Sequence, residues 1–328
     1  MITVENIVLI FMYVICNVPS IPLYIATVFV IIKNWKTMKS SFFLLYLCDF
    51  SMNLSTAFFT FVTLKLSGFT CETCLLSPLY NWLQDTIISN FLYAMMYHMS
   101  YIQYATTALI SLNRLTIIYD HYSWEKIWRK YFIIPMLFIV LLPLISTGKL
   151  FVASCQWGFK AEGRTFVLRC KSDTTALYTP LIVFQVVCIF LSIVFNATSL
   201  YLIGRASAEM RQKSETNFII LISVTVLVQS MGTTISVALN GAETSEWTDK
   251  LHSYLLPVIS DAITLVHPWL LVLLSKPIRR HISWDVFRQR TASVDVVPHV
   301  NSLVGQHQHQ MNQHAPTATS RSTIKNHN

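Results

Sequence analysis

The stretch IVLIFMYVICNVPSIPLYIATVFVII, residues 7–32, decides the fold class of this chain. It contains no charged residue, and about 20 apolar residues rising 1.5 Å each are enough to cross the hydrocarbon core of a bilayer. The run is longer than the roughly 7 to 15 apolar residues of a cleavable signal peptide. No Lys or Arg precedes it. We therefore expect a retained first transmembrane helix.

Six further apolar runs of similar length follow along the chain. Backbone groups in hydrocarbon must hydrogen-bond within their own segment, so each run predicts a helix. The expected fold is an all-α membrane protein, a bundle of seven transmembrane helices that forms one domain over residues 1–274. The predicted spans cover residues 7–32, 41–64, 86–119, 131–153, 178–203, 217–239 and 254–274.

The composition of the whole chain supports burial in lipid. Of its 328 residues, 53% are hydrophobic and 12% are charged, and a soluble domain carries about twice that charged fraction. The formal net charge of +8 comes from short basic clusters beside the apolar runs. This distribution favours the lipid bilayer, and not nucleic acid, as the partner of the basic residues.

Lys and Arg residues are divided unequally between the two sides of the predicted bundle. With the N-terminus outside, 15 of them lie near the cytoplasmic ends of the spans and 7 on the opposite side. Cytoplasmic loops carry an excess of these residues, so the N-terminus is expected to be outside. The outside group is Lys65, Lys149, Lys160, Arg164, Arg169, Lys171 and Lys250.

The chain beyond the last span divides into two segments. Residues 275–290 place Ile278, Ile282 and Val286 at spacings of four among several arginines, which predicts a short amphipathic segment on the anionic inner leaflet. A plain solvated start of the tail is the alternative. Residues 291–328 are polar and lack apolar periodicity, so we expect a disordered cytoplasmic tail.

Ionisable groups inside predicted spans are costly and usually functional. Asp49 lies in the second span, Arg114 ends the third, and Asp261 lies in the seventh. Asp261 is expected either to contact a ligand or to pair with a hydroxyl or histidine of a neighbouring helix. Arg114 could serve as a snorkelling anchor at the membrane boundary.

Three motifs resemble a known family. They are SFFLLYLCDFSMN at 41–53, SLNRLTIIYDHYSWEKIW at 111–128 and SDAITLVHPWLLVLLSKPIRR at 260–280. Together they resemble the nematode serpentine receptor class gamma superfamily, with the related v and u classes as open alternatives. The resemblance implies a rhodopsin-like helix bundle and a chemosensory G-protein-coupled receptor in the plasma membrane, and it suggests sensory cilia.

The resemblance also implies roles for individual residues. Asn113 and Arg114 would couple to a heterotrimeric G protein. Asp49 and Pro268 would form a buried polar hub, and the alternative for Asp49 is a sodium site. Gly232, in a sixth span without Trp or Pro, would provide either flexibility or close packing.

Candidates for a small-molecule pocket come from four predicted spans. Tyr93, Tyr97, Tyr101 and Tyr104 follow one another at spacings of four, four and three, which places them along one stripe of a helix. A tyrosine stripe is also typical of packing or of an interfacial belt. The pocket candidates are Tyr97, His98, Tyr101, Gln185, Gln229 and Asp261.

Four cysteines fall in loops predicted to be outside, where disulfides form. They are Cys71, Cys74, Cys155 and Cys170. Four cysteines allow three complete pairings, and their spacing does not choose among them. The resemblance implies a link between the two loops that contain them.

Other classes of protein fit the sequence less well. We expect no enzyme, no cofactor and no metal, because no nucleophile elbow, phosphate loop or metal-ligand constellation occurs. A ligand-gated channel or a transporter is the alternative function, because Asp49 and Asp261 could serve ion movement.

Overall fold

The computed structural model describes residues 4–36, 38–84, 86–160, 165–171, 174–205, 213–241, 255–275 and 278–282. Within them, one long helix overlaps each predicted span. The helices are α1 (Val4–Lys33), α2 (Ser41–Thr60), α3 (Ile87–Tyr119), α4 (Ile133–Leu141), α5 (Thr174–Arg205), α6 (Lys213–Gly241) and α7 (Leu256–Leu274). Six segments of this described part have the length and hydropathy of a membrane span, and α3 is not among them. The protein is therefore mostly helical with six candidate membrane spans.

Helix α2 continues past its α-helical part. A π-helical turn, Phe61–Leu66, and one further α-helical turn, Ser67–Phe69, extend it. Such turns accommodate an extra residue and change the direction of the side chains that follow. Lys65 lies in this turn and is only 3% exposed. The predicted span ended at residue 64, whereas the helix continues to Phe69, so Lys65 lies within the helix and not beyond its end.

Helix α4 is interrupted near its end. Pro143 has no backbone N–H to donate, and the α-helix stops at Leu141 and resumes only briefly at Leu144–Thr147. A 3-10 helix, Gly148–Val152, completes the segment.

A β-hairpin follows α4, so the expectation of a purely helical protein needs correction. Strands β1 (Cys155–Lys160) and β2 (Thr165–Cys170) pair antiparallel, with Trp157 opposite Leu168. Trp157 and Phe166 are buried against Tyr80, with ring centroids 4.7 and 5.4 Å away. Tyr80 belongs to a short helix, Ser77–Leu83, between α2 and α3. We call this side of the bundle the hairpin end and the opposite side the Arg114 end.

The core of the bundle is largest at the Arg114 end. Phe42, Tyr46 and Leu271 belong to one buried cluster there. Residues 278–282 are helical, and Ile278 is fully buried in the same cluster. The predicted amphipathic segment is thus anchored at its beginning, whereas residues 283–290 and the predicted tail lie outside the described residues.

Many large apolar side chains point away from the core. Because water would not favour this arrangement, the exposed apolar faces indicate contact with lipid. Examples from the outer faces of five helices are Phe29 in α1, Phe58 in α2, Phe138 in α4, Phe190 in α5 and Leu227 in α6.

Candidate functional site

A cavity of about 250 Å³ lies at the hairpin end, between α3, α4 and α5. Its wall combines aliphatic side chains, tyrosine rings and a few hydroxyl groups, which is the usual make-up of a small-molecule site. The volume is slightly below the roughly 300 to 1,000 Å³ of drug-sized sites, so a smaller ligand fits. The wall is formed by Tyr97, Tyr101, Ile145, Ser146, Thr147, Lys149, Leu150, Leu177 and Pro180.

Two tyrosines of α3 form one side of this cavity, and α5 fixes their rings. The Tyr97 ring meets that of Tyr178 edge-on, with centroids 5.7 Å apart. Tyr101 packs against Phe184 at 5.0 Å. Tyr93 donates a hydrogen bond of 3.4 Å to the Tyr97 hydroxyl. Tyr97 and Tyr101 therefore both pack against α5 and line the cavity.

The other four pocket candidates lie elsewhere and are not among the lining residues. His98 Nδ1 is 2.9 Å from the Thr147 hydroxyl, which ties α3 to α4 beside the cavity. Gln185 donates to the hydroxyl of Ser100 at 3.3 Å. Gln229 lies in the centre of the bundle, and Asp261 lies near α1 and α2. The structure thus brings together Tyr97 and Tyr101 only.

A buried ion pair joins three helices at the side of α7. The ammonium of Lys65 contacts the carboxylate of Asp261, and both side chains are almost fully buried. Asn17 of α1 donates a second hydrogen bond of 3.0 Å to the same carboxylate. The Tyr13 ring lies 5.0 Å from the Lys65 ammonium. Asp261 therefore pairs with a lysine and an asparagine, and not with the expected hydroxyl or histidine.

A second polar cluster occupies the middle of the bundle around Asp49. Asn53 donates to the Asp49 carboxylate at 2.8 Å, and Gln103 of α3 donates to the Asn53 carbonyl at 2.7 Å. His267 Nδ1 approaches the same carboxylate at 3.0 Å, although its angle is not that of a hydrogen bond. The next residue, Pro268, is buried and has no N–H for the hydrogen-bond ladder of α7.

Helix α6 joins this central cluster through α3. Gln229 donates to the Thr107 hydroxyl at 2.8 Å and to the backbone carbonyl of Gln103 at 3.3 Å. Tyr104 donates to the backbone carbonyl of Gln229 at 2.9 Å. A Cβ atom added at Gly232 would lie 3.0 Å from the Tyr104 hydroxyl, so this glycine permits close packing of α6 on α3.

Arg114 is buried at the end of α3, where its guanidinium carbon lies 3.9 Å from the centroid of the Phe42 ring. An arginine over an aromatic face at this distance makes a favourable cation–π contact. The preceding Asn113 donates to the Ser41 hydroxyl at 3.0 Å. Both residues of the predicted coupling pair are therefore held against the start of α2.

A short helix, His121–Tyr131, covers this contact between α2 and α3. Its Glu125 carboxylate accepts hydrogen bonds from the Ser41 backbone N–H and hydroxyl, each 2.7 Å long. Asp120 caps the helix, and hydrogen bonds from Ser123 lower the pKa of its carboxyl. The first N–H groups of a helix have no acceptor within the helix and favour an anion. At the start of α2, the Glu125 carboxylate of the short helix supplies that acceptor.

The two disulfides stay within their own loops. They join Cys71 to Cys74 and Cys155 to Cys170, so the expected link between loops is not formed. Cys155 and Cys170 are paired across the hairpin register. The loops are held together without a covalent bond, through the packing of Tyr80 described above and a β-bridge from Cys71 to Thr165.

Several residues of these clusters were missing from the sequence-based candidates. They are Asn17, Asn53, Lys65 and Glu125. Asn17 and Asn53 carried a usable signal, because each is polar inside a predicted span. Lys65 stood just past an apolar run, and no local pattern marks Glu125. Among the described residues, no group of three His, Cys, Asp or Glu could hold a metal ion.

The chain is similar to known proteins over most of its length. A family model described as Srg family chemoreceptor matches residues 10–282. The chain is also similar to serpentine receptor class gamma-31 of Caenorhabditis elegans, with 27% identity over 288 residues. That alignment covers 84% of this chain and 91% of the relative. The similarity therefore extends over the whole helical bundle.

Proposed function

This chain belongs to the Srg family of chemoreceptors, and from that premise we propose that it is a G-protein-coupled receptor for a small molecule. The family and the candidate spans by themselves indicate a multi-pass serpentine chemoreceptor. The proposal adds seven crossings, an outside N-terminus in the plasma membrane, a ligand in the hairpin-end cavity and a heterotrimeric G protein at the Arg114 end.

The observation that carries this proposal is the position of α3. One helix supplies Tyr97 and Tyr101 to the cavity, Gln103 and Thr107 to the central cluster, and Arg114 to the contact with α2. These groups extend over about 26 Å at 1.5 Å per residue. A displacement of α3 by a ligand would therefore reach the Phe42 contact at the other end.

The proposed orientation rests on the distribution of basic residues. Without Lys65, which lies inside a helix, the sequence assigns six basic residues to the outside and 15 to the cytoplasmic ends. An epitope tag at the N-terminus should bind antibody on intact cells, and a C-terminal tag should bind only after permeabilisation. The opposite labelling would contradict the receptor orientation and favour the channel alternative.

The ligand role of the cavity is tested by changing its wall. Tyr101→Ala should reduce the potency of any agonist found by screening cells with a G-protein-dependent reporter, because the ring is buried against the cavity. Tyr119→Ala is a matched control, since Tyr119 ends the same helix and is 76% exposed. Equal potency in both variants, at equal surface expression, would contradict a ligand at this site.

The coupling role of Arg114 predicts a loss of signalling without a loss of the receptor. Arg114→Ala should abolish G-protein activation while surface expression stays normal, and Arg114→Lys should retain charge but lose the flat contact with Phe42. Arg205→Ala is the control, because Arg205 is exposed and lies 4.8 Å from the Tyr201 ring. Undiminished signalling by Arg114→Ala would refute the assignment.

A further inference from the structure

The cavity at the hairpin end has one charged group in its wall. Among the described residues that line it, Lys149 alone carries a charge, and none is acidic. Lys149 belongs to the 3-10 helix that completes α4, and its side chain is exposed. No carboxylate of the described residues pairs with it. Among the described residues, Lys149 is thus the one charged group that can meet a molecule in the cavity.

The remaining wall suits an apolar body. Ile145, Leu150, Leu177 and Pro180 supply aliphatic surface, and Tyr97 and Tyr101 add two rings. Hydroxyl groups of Ser146 and Thr147 lie beside Lys149 in the sequence and also line the cavity. The Thr147 hydroxyl already donates to the Pro143 carbonyl at 2.9 Å, so Lys149 and Ser146 are the donors from which a carboxylate in this mostly apolar wall would accept.

Cavity size limits the ligand. A volume of about 250 Å³ corresponds to roughly eight water molecules at about 30 Å³ each. A molecule with on the order of ten non-hydrogen atoms fits that space. Ile145 is 82% exposed, so the cavity borders the outer surface of the bundle, where an amphiphile would arrive with its polar head at the level of the lysine.

We propose that this cavity binds small amphiphilic carboxylic acids, with Lys149 and the Ser146 hydroxyl holding the carboxylate. This rests on the proposed function, because it names the chemical class of the ligand for the same site. Lys149 disfavours a cation, and a neutral molecule would form no ion pair with its ammonium.

The test uses the purified full-length receptor in nanodiscs of phosphatidylcholine, with thermal unfolding as the readout of binding. Octanoic acid, 1-nonanol and nonylamine provide an anion, a neutral molecule and a cation of equal size. We expect stabilisation by octanoate and little by the other two. Equal stabilisation by the alcohol, or none by octanoate or 4-phenylbutyrate at millimolar concentration, would overturn the proposal.

Variants of Lys149 test the contribution of its charge to binding separately from that of the cavity wall. Lys149→Gln should weaken octanoate binding roughly tenfold, and Lys149→Arg should retain most of it. Lys171→Gln is the matched control, because Lys171 is exposed at the same end but does not line the cavity. Unchanged binding by Lys149→Gln would overturn the role of the lysine.

Two further arms distinguish the origin of the anion and the failure of the proposed function. If phosphatidylglycerol in the nanodiscs abolishes octanoate binding, a lipid head group occupies the site and the soluble-acid proposal is wrong. Octanoate that binds through Lys149 without activating a G-protein reporter would uphold this inference and contradict the proposed signalling. Reporter activation that does not depend on Lys149 would uphold the proposed signalling and contradict this inference.

Discussion

Replacement of Lys65 or Asp261 alone should destabilise the receptor more than replacement of both. The two side chains are only 2% and 6% exposed and contact each other between α2 and α7. Lys65→Met leaves the Asp261 carboxylate with Asn17 as its described donor, and Asp261→Asn leaves the ammonium beside the Tyr13 ring. Either change leaves a buried charge without its ionic partner.

The expected magnitudes follow from that burial. Breaking one side of a buried ion pair costs about 3 to 5 kcal/mol, and a charge at the centre of a membrane helix costs about 2.5 to 3.5 kcal/mol on insertion scales. We therefore expect about 3 kcal/mol for each single variant. Because the double variant strands no charge, it should cost about 1 kcal/mol, since neutral replacement of a buried pair is often tolerated.

The assay is a double-mutant cycle measured by SDS unfolding in mixed micelles, followed by tryptophan fluorescence. These values correspond to a coupling energy of about 5 kcal/mol, above the roughly 0.5 to 3 kcal/mol usual for residues in contact, because each single variant leaves a buried charge unpaired. Lys171→Met serves as the control for loss of an exposed lysine and should be nearly silent. Additive single effects, with the double variant as unstable as their sum, would refute the buried pair.

Two further predictions concern helix contacts on α3 and α2. Gly232→Ala should cost about 1 to 3 kcal/mol in the same unfolding assay, because its new Cβ would press on the Tyr104 hydroxyl at 3.0 Å, and an unchanged unfolding midpoint would contradict this close packing. Glu125→Ala should cost about 1 kcal/mol and make the His121–Tyr131 helix more sensitive to protease, because Ser41 loses its acceptor; Glu125→Gln should be milder, and equal protease sensitivity of all three proteins would contradict the contact.

The positions of the long helices could be predicted because they depend on local composition. An uncharged run long enough to cross a bilayer needs no partner to specify its helix, and the predicted span 178–203 lies within α5 at Thr174–Arg205. The interruption of α4 follows from Pro143. The β-hairpin was missed because its stability comes from Tyr80, which belongs to a different loop.

The polar partners could be predicted less well, because each partner comes from a distant part of the chain. Asp49 and Asp261 were found by their charge inside apolar runs. Lys65 was placed outside because the run before it ends, and only the π-helical turn and Asp261, 196 residues later, explain its burial. The disulfides show the same limit, since the register of the hairpin decides which pairing forms.

Helix α3 is not among the six candidate membrane spans of the described residues, because its polar side chains lower its hydropathy. A helix that other helices surround has little surface in contact with lipid, so it tolerates polar side chains that a peripheral helix could not. Gln103, Thr107 and Asn113 of α3 are all buried and hydrogen-bonded to α2 or α6. By contrast, α4 exposes Ile134, Leu137 and other apolar residues. The polar side chains that lower the hydropathy of α3 are thus the ones that bond it to α2 and α6, between the cavity and Arg114.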